Sequence, residues 1–403
     1  MCYSEIECYN EINHNMFFFK WRLRVIWAAR VWFLFQGIST SLVLATINGY
    51  LKSFGAHTDY MGYVMAGYAF GGIIAAPLFG KIADKTKNGK IVLLLSMTFQ
   101  VVSYILYLYF QNENVLLLAR ILAGIGFGAD GAIVGEISRN LSEKEAPSKI
   151  ALLTGCHEIG FFLGPILLVG VSRIRIYLPD VAVNAHNAIG FFCAIIWMVA
   201  FIITTFSYDP PISSLVLSSL AKESEPLLTA GSSGKSTPFR RPPNMEGSFV
   251  QILICIYTYF AYMVFCAVLD TSVTPLTDRF FGFTDIENGI IFLSLGFVSA
   301  IMYFVMQISY VRKLVPDYMM IPLGSSAQFI SSIGMAISMY FMTFRAFWIY
   351  FVQGLFLFIF SSTLPFLNVG CISMLSKFSP ESELSYLQGI RSSSGRIAKV
   401  LKF

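Results

Sequence analysis

Residues 80–90 read Gly-Lys-Ile-Ala-Asp-Lys-Thr-Lys-Asn-Gly-Lys, a short basic turn between two long apolar runs. Gly80 and Gly89 allow the backbone to turn tightly, and Asp84 can accept hydrogen bonds at a membrane edge. Lys and Arg residues in short loops remain on the cytosolic side of a membrane. This segment therefore predicts two membrane-spanning helices joined by a cytosolic turn.

Composition extends this prediction to the whole chain. Of 403 residues, 56% are hydrophobic and only 13% are charged, a balance that excludes an ordinary soluble enzyme. A helix needs about 20 apolar residues to cross a bilayer. By that criterion we expect an all-α polytopic membrane protein in contact with the lipid bilayer. Its ten complete spans should lie near residues 27–50, 60–80, 90–110, 115–138, 149–171, 188–207, 249–271, 288–310, 318–340 and 346–374.

The predicted spans divide into two groups of six and four. Residues 1–26 end in a basic cluster and should form a cytosolic N-terminal segment, followed by an N-terminal six-helix half at 27–208. Residues 209–248 are rich in Ser, Pro and charge, so we expect a disordered cytosolic linker there. Residues 249–403 then form an incomplete C-terminal half.

The linker contains Glu223, Leu227 and Leu228 in the pattern Glu-x-x-x-Leu-Leu. This pattern resembles acidic dileucine sorting signals of endosomes and lysosomes, which would make clathrin adaptors partners of the linker. The other interpretation is chance, because such patterns are common in disordered loops.

Other function classes find no support in the sequence. The seven cysteines are scattered without a C-x-x-C pair, so neither a disulfide framework nor a metal site is expected. No nucleotide-binding loop, nucleophile triad or basic-aromatic pattern for nucleic acid is present. We expect no cofactor, no nucleic-acid partner and no enzymatic activity.

Three stretches resemble the major facilitator superfamily. Residues 80–90 are similar to that family's signature loop, and Arg120, Gly124 and Gly126 fit its Arg-x-x-x-Gly-x-Gly pattern. Gly160, Gly164 and Pro165 fit Gly-x-x-x-Gly-Pro, although the usual following glycine pair is absent. Small residues at this spacing allow helices to approach closely, and proline bends a span.

The resemblance implies two six-helix halves that alternate access to a central cavity. It also implies that residues 80–90 act as a conformational latch that holds the cytosolic helix ends in one state. The residues expected to form this latch are Gly80, Asp84, Lys85, Gly89 and Lys90.

Two further stretches resemble a lysosomal branch of the superfamily. Residues 270–277 read Asp-Thr-Ser-Val-Thr-Pro-Leu-Thr, and residues 395–398 read Gly-Arg-Ile-Ala. The branch implies an endolysosomal location, and a chloride conductance has been ascribed to it. A full member has twelve spans, so we expect this chain to stop as an eleventh begins, either as a truncated product or as a partial carrier.

Ionisable residues inside predicted spans are the candidate substrate-binding groups, because they are costly in a membrane. Arg120 either attracts an anion or pairs with a carboxylate such as Glu158 on the next span. Asp130 lies ten residues further along, roughly 15 Å away on the same helix. Glu158 is the preferred proton site, since burial favours its neutral form. Asp270 either binds a coupling ion or caps an interrupted helix.

The function expected from these observations is secondary transport. The chain should move a small, anionic solute across an endolysosomal membrane by alternating access, with proton coupling as an added possibility. The alternatives are an endolysosomal anion (chloride) channel on the same fold and a truncated, non-transporting membrane protein.

Overall fold

The computed structural model describes residues 2–53, 55, 60–110, 112–141, 145–171, 173, 176–178, 181–183, 187–207, 245–281, 285–308, 315–341 and 347–401. Its described side chains begin at Arg24 and do not include that of Asp270. The linker residues Glu223, Leu227 and Leu228 lie outside the described residues, so their predicted sorting role stays a prediction.

We call the part of the chain before residue 209 the N-terminal half, and seven helices lie in its described ranges. They are α1 (Cys2–Ser53), α2 (Tyr60–Thr86), α3 (Gly89–Tyr109), α4 (Glu113–Phe127), α5 (Asp130–Asn140), α6 (Ala146–Val171) and α7 (Ala188–Ser207). Between α6 and α7, the short strand β1 (Ile176–Leu178) pairs antiparallel with β2 (Val181–Val183).

We call the part of the chain from Met245 onward the C-terminal half. Its described helices are α8 (Met245–Phe281), α9 (Asp285–Val305), α10 (Asp317–Phe341), α11 (Phe347–Phe378) and α12 (Leu384–Val400).

The prediction of an all-α polytopic membrane protein is confirmed. Within the described ranges, nine segments are long and apolar enough to cross a membrane, and they coincide with nine of the ten predicted spans. The remaining prediction, near 288–310, corresponds to α9, whose apolar part Leu293–Val305 is shorter. Large apolar side chains such as Phe249 and Phe329 are more than half exposed, as expected for surfaces that face lipid.

The predicted fourth span is interrupted near its middle. Helix α4 ends at Phe127 and α5 begins at Asp130, while Gly128 and Ala129 between them keep right-handed helical backbone angles. The Ala129 N–H bonds to the carbonyl three residues earlier, at Gly126, which tightens one turn. Glycine weakens a helix interior, so the glycines at 124, 126 and 128 explain why the interruption falls here.

Two buried tryptophans form hydrogen bonds between helices of the N-terminal half. Trp32 on α1 donates its indole N–H to the Ser96 hydroxyl on α3 at 2.8 Å. Trp197 on α7 donates to the Ser39 hydroxyl on α1 at 3.0 Å. Both rings are fully buried, so each polar N–H is satisfied inside an apolar core.

Glycines allow the closest helix crossings in this half. A Cβ atom at Gly124 would clash with the Tyr68 carbonyl of α2, and one at Gly160 would clash with the Leu34 carbonyl of α1. Gly126 lies against Gln100 of α3, Gly164 lies against Ser41 of α1, and Pro165 lies within α6. Any larger residue at 124 or 160 would push two helices apart.

The two halves meet along two seams. Helix α12 packs against α2 and α5, and α6 packs against α9. The sequence analysis did not predict α12, because its 17 residues include four serines and three basic residues. Its polar side chains instead find partners on the N-terminal half, as described below.

Candidate functional site

Asp84 is the centre of the contact between the halves at one end of the bundle. Its Oδ2 accepts a hydrogen bond from the Tyr386 N–H at 2.7 Å, and its Oδ1 accepts one from the Ser385 N–H at 3.1 Å. These N–H groups lie in the first turn of α12, where the helix dipole favours a carboxylate. Arg139 of α5 forms an ion pair with the same carboxylate. We call this end of the bundle the latch end.

The other predicted latch residues are spread around this contact. Gly80 lies against the backbone of Ser385 and Tyr386, so a side chain there would clash with α12. Gly89 lies against the Glu136 carboxylate, and the Lys90 ammonium donates to the Thr205 carbonyl of α7 at 2.8 Å. Gly80 and Asp84 therefore contact the C-terminal half, whereas Gly89 and Lys90 make contacts within the N-terminal half.

Lys85 lines a surface pocket beside the latch. The pocket has a volume of about 400 Å³, and its lining residues are Lys81, Asp84, Lys85, Ser382, Glu383 and Tyr386. Next to it, Lys87 has a positive φ of 52° and bonds through its N–H to the Ala83 carbonyl at 2.9 Å. Burial and the neighbouring Arg139 lower the pKa of Lys87, while Asp84 opposes the shift.

Asp130 forms a second contact between the halves, deeper in the bundle. It pairs with Arg396 of α12 at 2.9 Å and accepts a hydrogen bond from the Ser392 hydroxyl at 2.6 Å. Arg396 also donates to the Phe127 carbonyl at 3.0 Å and lies 4.7 Å above the Phe127 ring. The structure thus gives Asp130 a cationic partner that the sequence analysis did not identify.

Arg120 lies in the interior of the N-terminal half. It is 2% exposed, and its guanidinium carbon lies 4.4 Å from the centre of the Tyr68 ring on α2. Among the described residues its Nε and Nη1 have no hydrogen-bond partner, and it takes part in no ion pair. The pairing with Glu158 that the sequence left open is therefore absent here.

Polar side chains of two helices form a chain of hydrogen bonds that ends at the Tyr68 hydroxyl. Gln36 of α1 donates to the Tyr68 hydroxyl at 2.9 Å and accepts from Gln100 of α3, also at 2.9 Å. The Gln100 Oε1 is itself buried without a partner in the described part of the chain. Arg120 thus belongs to a polar cluster embedded among apolar helices.

Glu158 lies elsewhere, on the side of α6 that approaches the C-terminal half. It contacts the His157 ring at 3.4 Å, and its side chain is 27% exposed. Tyr262 and Tyr303 of the C-terminal half lie near it, and Tyr303 accepts a hydrogen bond from Asn368 at 2.8 Å. His157 stacks at 6.1 Å on Phe127, the ring that also carries Arg396.

The structure brings some predicted site residues together and separates others. Asp84 and Asp130 both contact α12, Arg120 lies within the N-terminal half, and Glu158 lies at the seam between α6 and α9. The side chain of Asp270 is outside the described set, so its role stays a prediction. Sequence reasoning missed Arg139, Ser385, Arg391 and Arg396; the signal available for the last two was a pair of arginines in a segment that also contains four serines.

Comparisons with known proteins place this geometry in a family. The sequence profile described as Major Facilitator Superfamily matches residues 31–401. Major facilitator superfamily domain-containing protein 8 of Xenopus laevis is 25% identical over 305 residues, which cover 70% of this chain and 58% of that relative. Quinolone resistance protein NorA of Staphylococcus aureus is 25% identical over 167 residues, or 41% of this chain and 42% of NorA. The chain thus spans less than two thirds of either relative.

Solved structures share the same fold. The human organic anion transporter MFSD10 (TETRAN) aligns with a TM-score of 0.70 at 17% identity, over 94% of this chain and 91% of its own. The proton:xylose symporter XylE aligns with a TM-score of 0.65 at 14% identity, over 95% and 87%. Together with the profile match over most of its length, the two-half architecture leads to one conclusion: this multi-pass membrane protein belongs to the major facilitator superfamily.

Proposed function

We propose that this chain moves a small anion across an endolysosomal membrane by alternating access between its two halves. The single observation that carries the proposal is Arg120, a fully buried cation without a carboxylate partner among the described residues. Burying a charge without a partner costs several kcal/mol. An anionic substrate that reaches Arg120 would repay this cost, which gives the site a physical preference for anions.

The other elements support this proposal from different sides. MFSD10, named as an organic anion transporter, shows that this fold can carry anions. Glu158, partly exposed and beside His157 at the seam, is the candidate proton site. The endolysosomal location, the cytosolic N-terminus and the adaptor contact through Glu223, Leu227 and Leu228 rest on the sequence patterns. Chloride conduction on the same fold is the alternative.

Uptake into proteoliposomes tests the proposal, with radiolabelled chloride and benzoate as probes. We expect Arg120→Gln to reduce uptake of the transported probe about tenfold or more, and Arg120→Lys to retain part of it. Arg173→Gln is the matched control, because Arg173 is exposed and the variant loses the same charge. If the chain moves neither anion, or if Arg120→Gln leaves uptake intact, the proposal is wrong.

Two further measurements distinguish a proton-coupled carrier from a channel and from a chain without transport activity. If anion transport is coupled to protons through Glu158, an inward proton gradient should accelerate uptake in the wild type but not in Glu158→Gln. A channel predicts single-channel currents that exceed the turnover of any carrier cycle and persist in Glu158→Gln. A chain without transport activity predicts that both Arg120→Gln and Glu158→Gln are silent.

A further inference from the structure

The C-terminal half contains its own fully buried arginine, which the proposed function does not use. Arg391 on α12 is 2% exposed. Its Nε donates to the Gln388 Oε1 at 2.8 Å, and its guanidinium carbon lies 4.2 Å from the centre of the Tyr259 ring on α8. Its Nη1 has no hydrogen-bond partner in the described ranges.

Arg391 repeats the construction found around Arg120. Each arginine lies on a tyrosine ring of a neighbouring helix in its own half, and each keeps at least one nitrogen unpartnered. Three arginines in the described chain are almost fully buried, and only Arg396 makes an ion pair. A cation–π contact recovers only about 2 kcal/mol when desolvated, which is less than the cost of burying an unpaired charge.

The side chain of Arg391 is held in place by its own half. Gln388 donates through Nε2 to the Ile372 carbonyl at 3.0 Å and to the Ser376 hydroxyl at 2.9 Å. These bonds orient the Gln388 Oε1 toward the Arg391 Nε. The guanidinium therefore moves with the C-terminal half when the halves separate.

Arg391 and Arg120 lie at different depths. Ser392 bonds to Asp130, so Arg391 is level with Asp130 along the bundle. Asp130 is ten residues after Arg120, a separation of roughly 15 Å along the helix axis. The direction of this offset is toward the latch end, because Gly135 further along α5 already contacts Ser385.

We propose that Arg391 forms a second anion site, which is reached from the latch end when α12 separates from α2 and α5. The proposal rests on the proposed function, since its ligand is the same small anion that Arg120 binds. An anion would pass from the guanidinium of one half to that of the other. In the present conformation, contacts of Asp84 and Gly131 with α12 close the route to Arg391.

Side-resolved transport tests the second site. Proteoliposomes are sorted by orientation with an antibody to residues 209–248, and benzoate or chloride is supplied from one side at a time. We expect Arg391→Gln to raise the half-saturating concentration about tenfold from the latch side, the equivalent of about 1.4 kcal/mol of binding. From the opposite side it should change less than about twofold, whereas Arg120→Gln should reduce uptake from either side.

Controls separate this role from a structural one. Lys399→Gln removes a positive charge from an exposed position of the same helix and should leave both values unchanged. Arg391→Lys keeps the charge and should restore part of the affinity. A loss in Arg391→Gln that is equal from both sides, or no change at all, overturns the second site while leaving the proposed function standing.

Chemical labelling decides the point without transport. We expect p-hydroxyphenylglyoxal, an arginine reagent, to modify Arg391 faster in Asp84→Ala, because the latch contact is broken. Benzoate or chloride should slow this modification, as measured by mass spectrometry of the peptide. If wild-type vesicles move neither anion, the proposed function fails, and labelling alone decides the site. Modification of Arg391 that neither anion slows, or its absence in Asp84→Ala, overturns the second site.

Discussion

Two regions of the N-terminal half use charge in opposite ways. At the latch end, both carboxylate oxygens of Asp84 accept hydrogen bonds from the C-terminal half, and Arg139 neutralises the charge. Around Arg120, a buried cation has an aromatic platform but no carboxylate among the described residues. The first arrangement stabilises one conformation, and the second costs stability that only a ligand can return. A buried charge therefore marks either a contact or a binding site, and its partners decide which.

Removing the Asp84 carboxylate should have the largest effect on stability. Asp84→Ala leaves Arg139 and two N–H groups of α12 without their acceptor, so we expect a loss of about 3 kcal/mol in the stability of the closed conformation. Thermal unfolding in detergent measures it, and cross-linking of cysteines placed at 85 and 386, which line the same surface pocket, reports the separation of the halves. Glu381→Ala, an exposed change nearby, should be neutral. Equal stabilities of the two variants would contradict the role of Asp84.

Loss of the ion pair between Asp130 and Arg396 should have the second largest effect on stability. Asp130→Asn and Arg396→Gln should each destabilise the chain, and the double variant should lose less than the sum of the two. We expect a coupling energy of about 2 kcal/mol from this double-mutant cycle. A coupling near zero would mean that the contact between Asp130 and Arg396 does not hold the halves together.

Around Arg120, a substitution should change stability in the opposite direction. Arg120→Met replaces an unpaired buried charge with an apolar side chain of similar length, so stability should rise by about 1 kcal/mol while anion uptake is lost. Thermal unfolding and uptake are measured on the same preparation. A destabilised Arg120→Met would show that the guanidinium is structural, and the contrast with Asp84 would disappear.

The smallest expected effect on stability is the pH dependence contributed by Lys87. Its lowered pKa means that the unfolded chain binds more protons than the folded chain between that lowered value and the ordinary 10.5. Stability should therefore rise with pH through this window. Lys87 is largely exposed, so solvent screening keeps the change below about 0.5 kcal/mol. Lys87→Gln should flatten this part of the pH profile, and an unchanged slope would assign it to another group.

Sequence alone was sufficient for the elements that depend on local patterns. Long apolar runs predicted the spans, and residues 80–90 indicated the family because glycine, aspartate and lysine at that spacing suit a membrane-edge turn. The pairing of Asp130 with Arg396 was out of reach, since the two residues are 266 positions apart. Helix α12 was missed because a hydropathy criterion rejects a segment whose polar groups are satisfied by other helices rather than by water. Likewise, the contact between the Arg120 guanidinium and the Tyr68 ring could not be predicted from the positions of the two residues in the sequence.

The polarity of α12 has a consequence for how the protein is made. An arginine at the centre of a helix costs about 2.5–3.5 kcal/mol on insertion into a bilayer, and α12 carries both Arg391 and Arg396. Such a segment would enter the membrane poorly on its own. Its insertion should depend on α2, α4 and α5, which present Asp84, Phe127 and Asp130 to it, respectively. We therefore expect α12 to enter the membrane only after the N-terminal helices are in place, and a defect at Asp130 to appear in the cell first as retention by quality control.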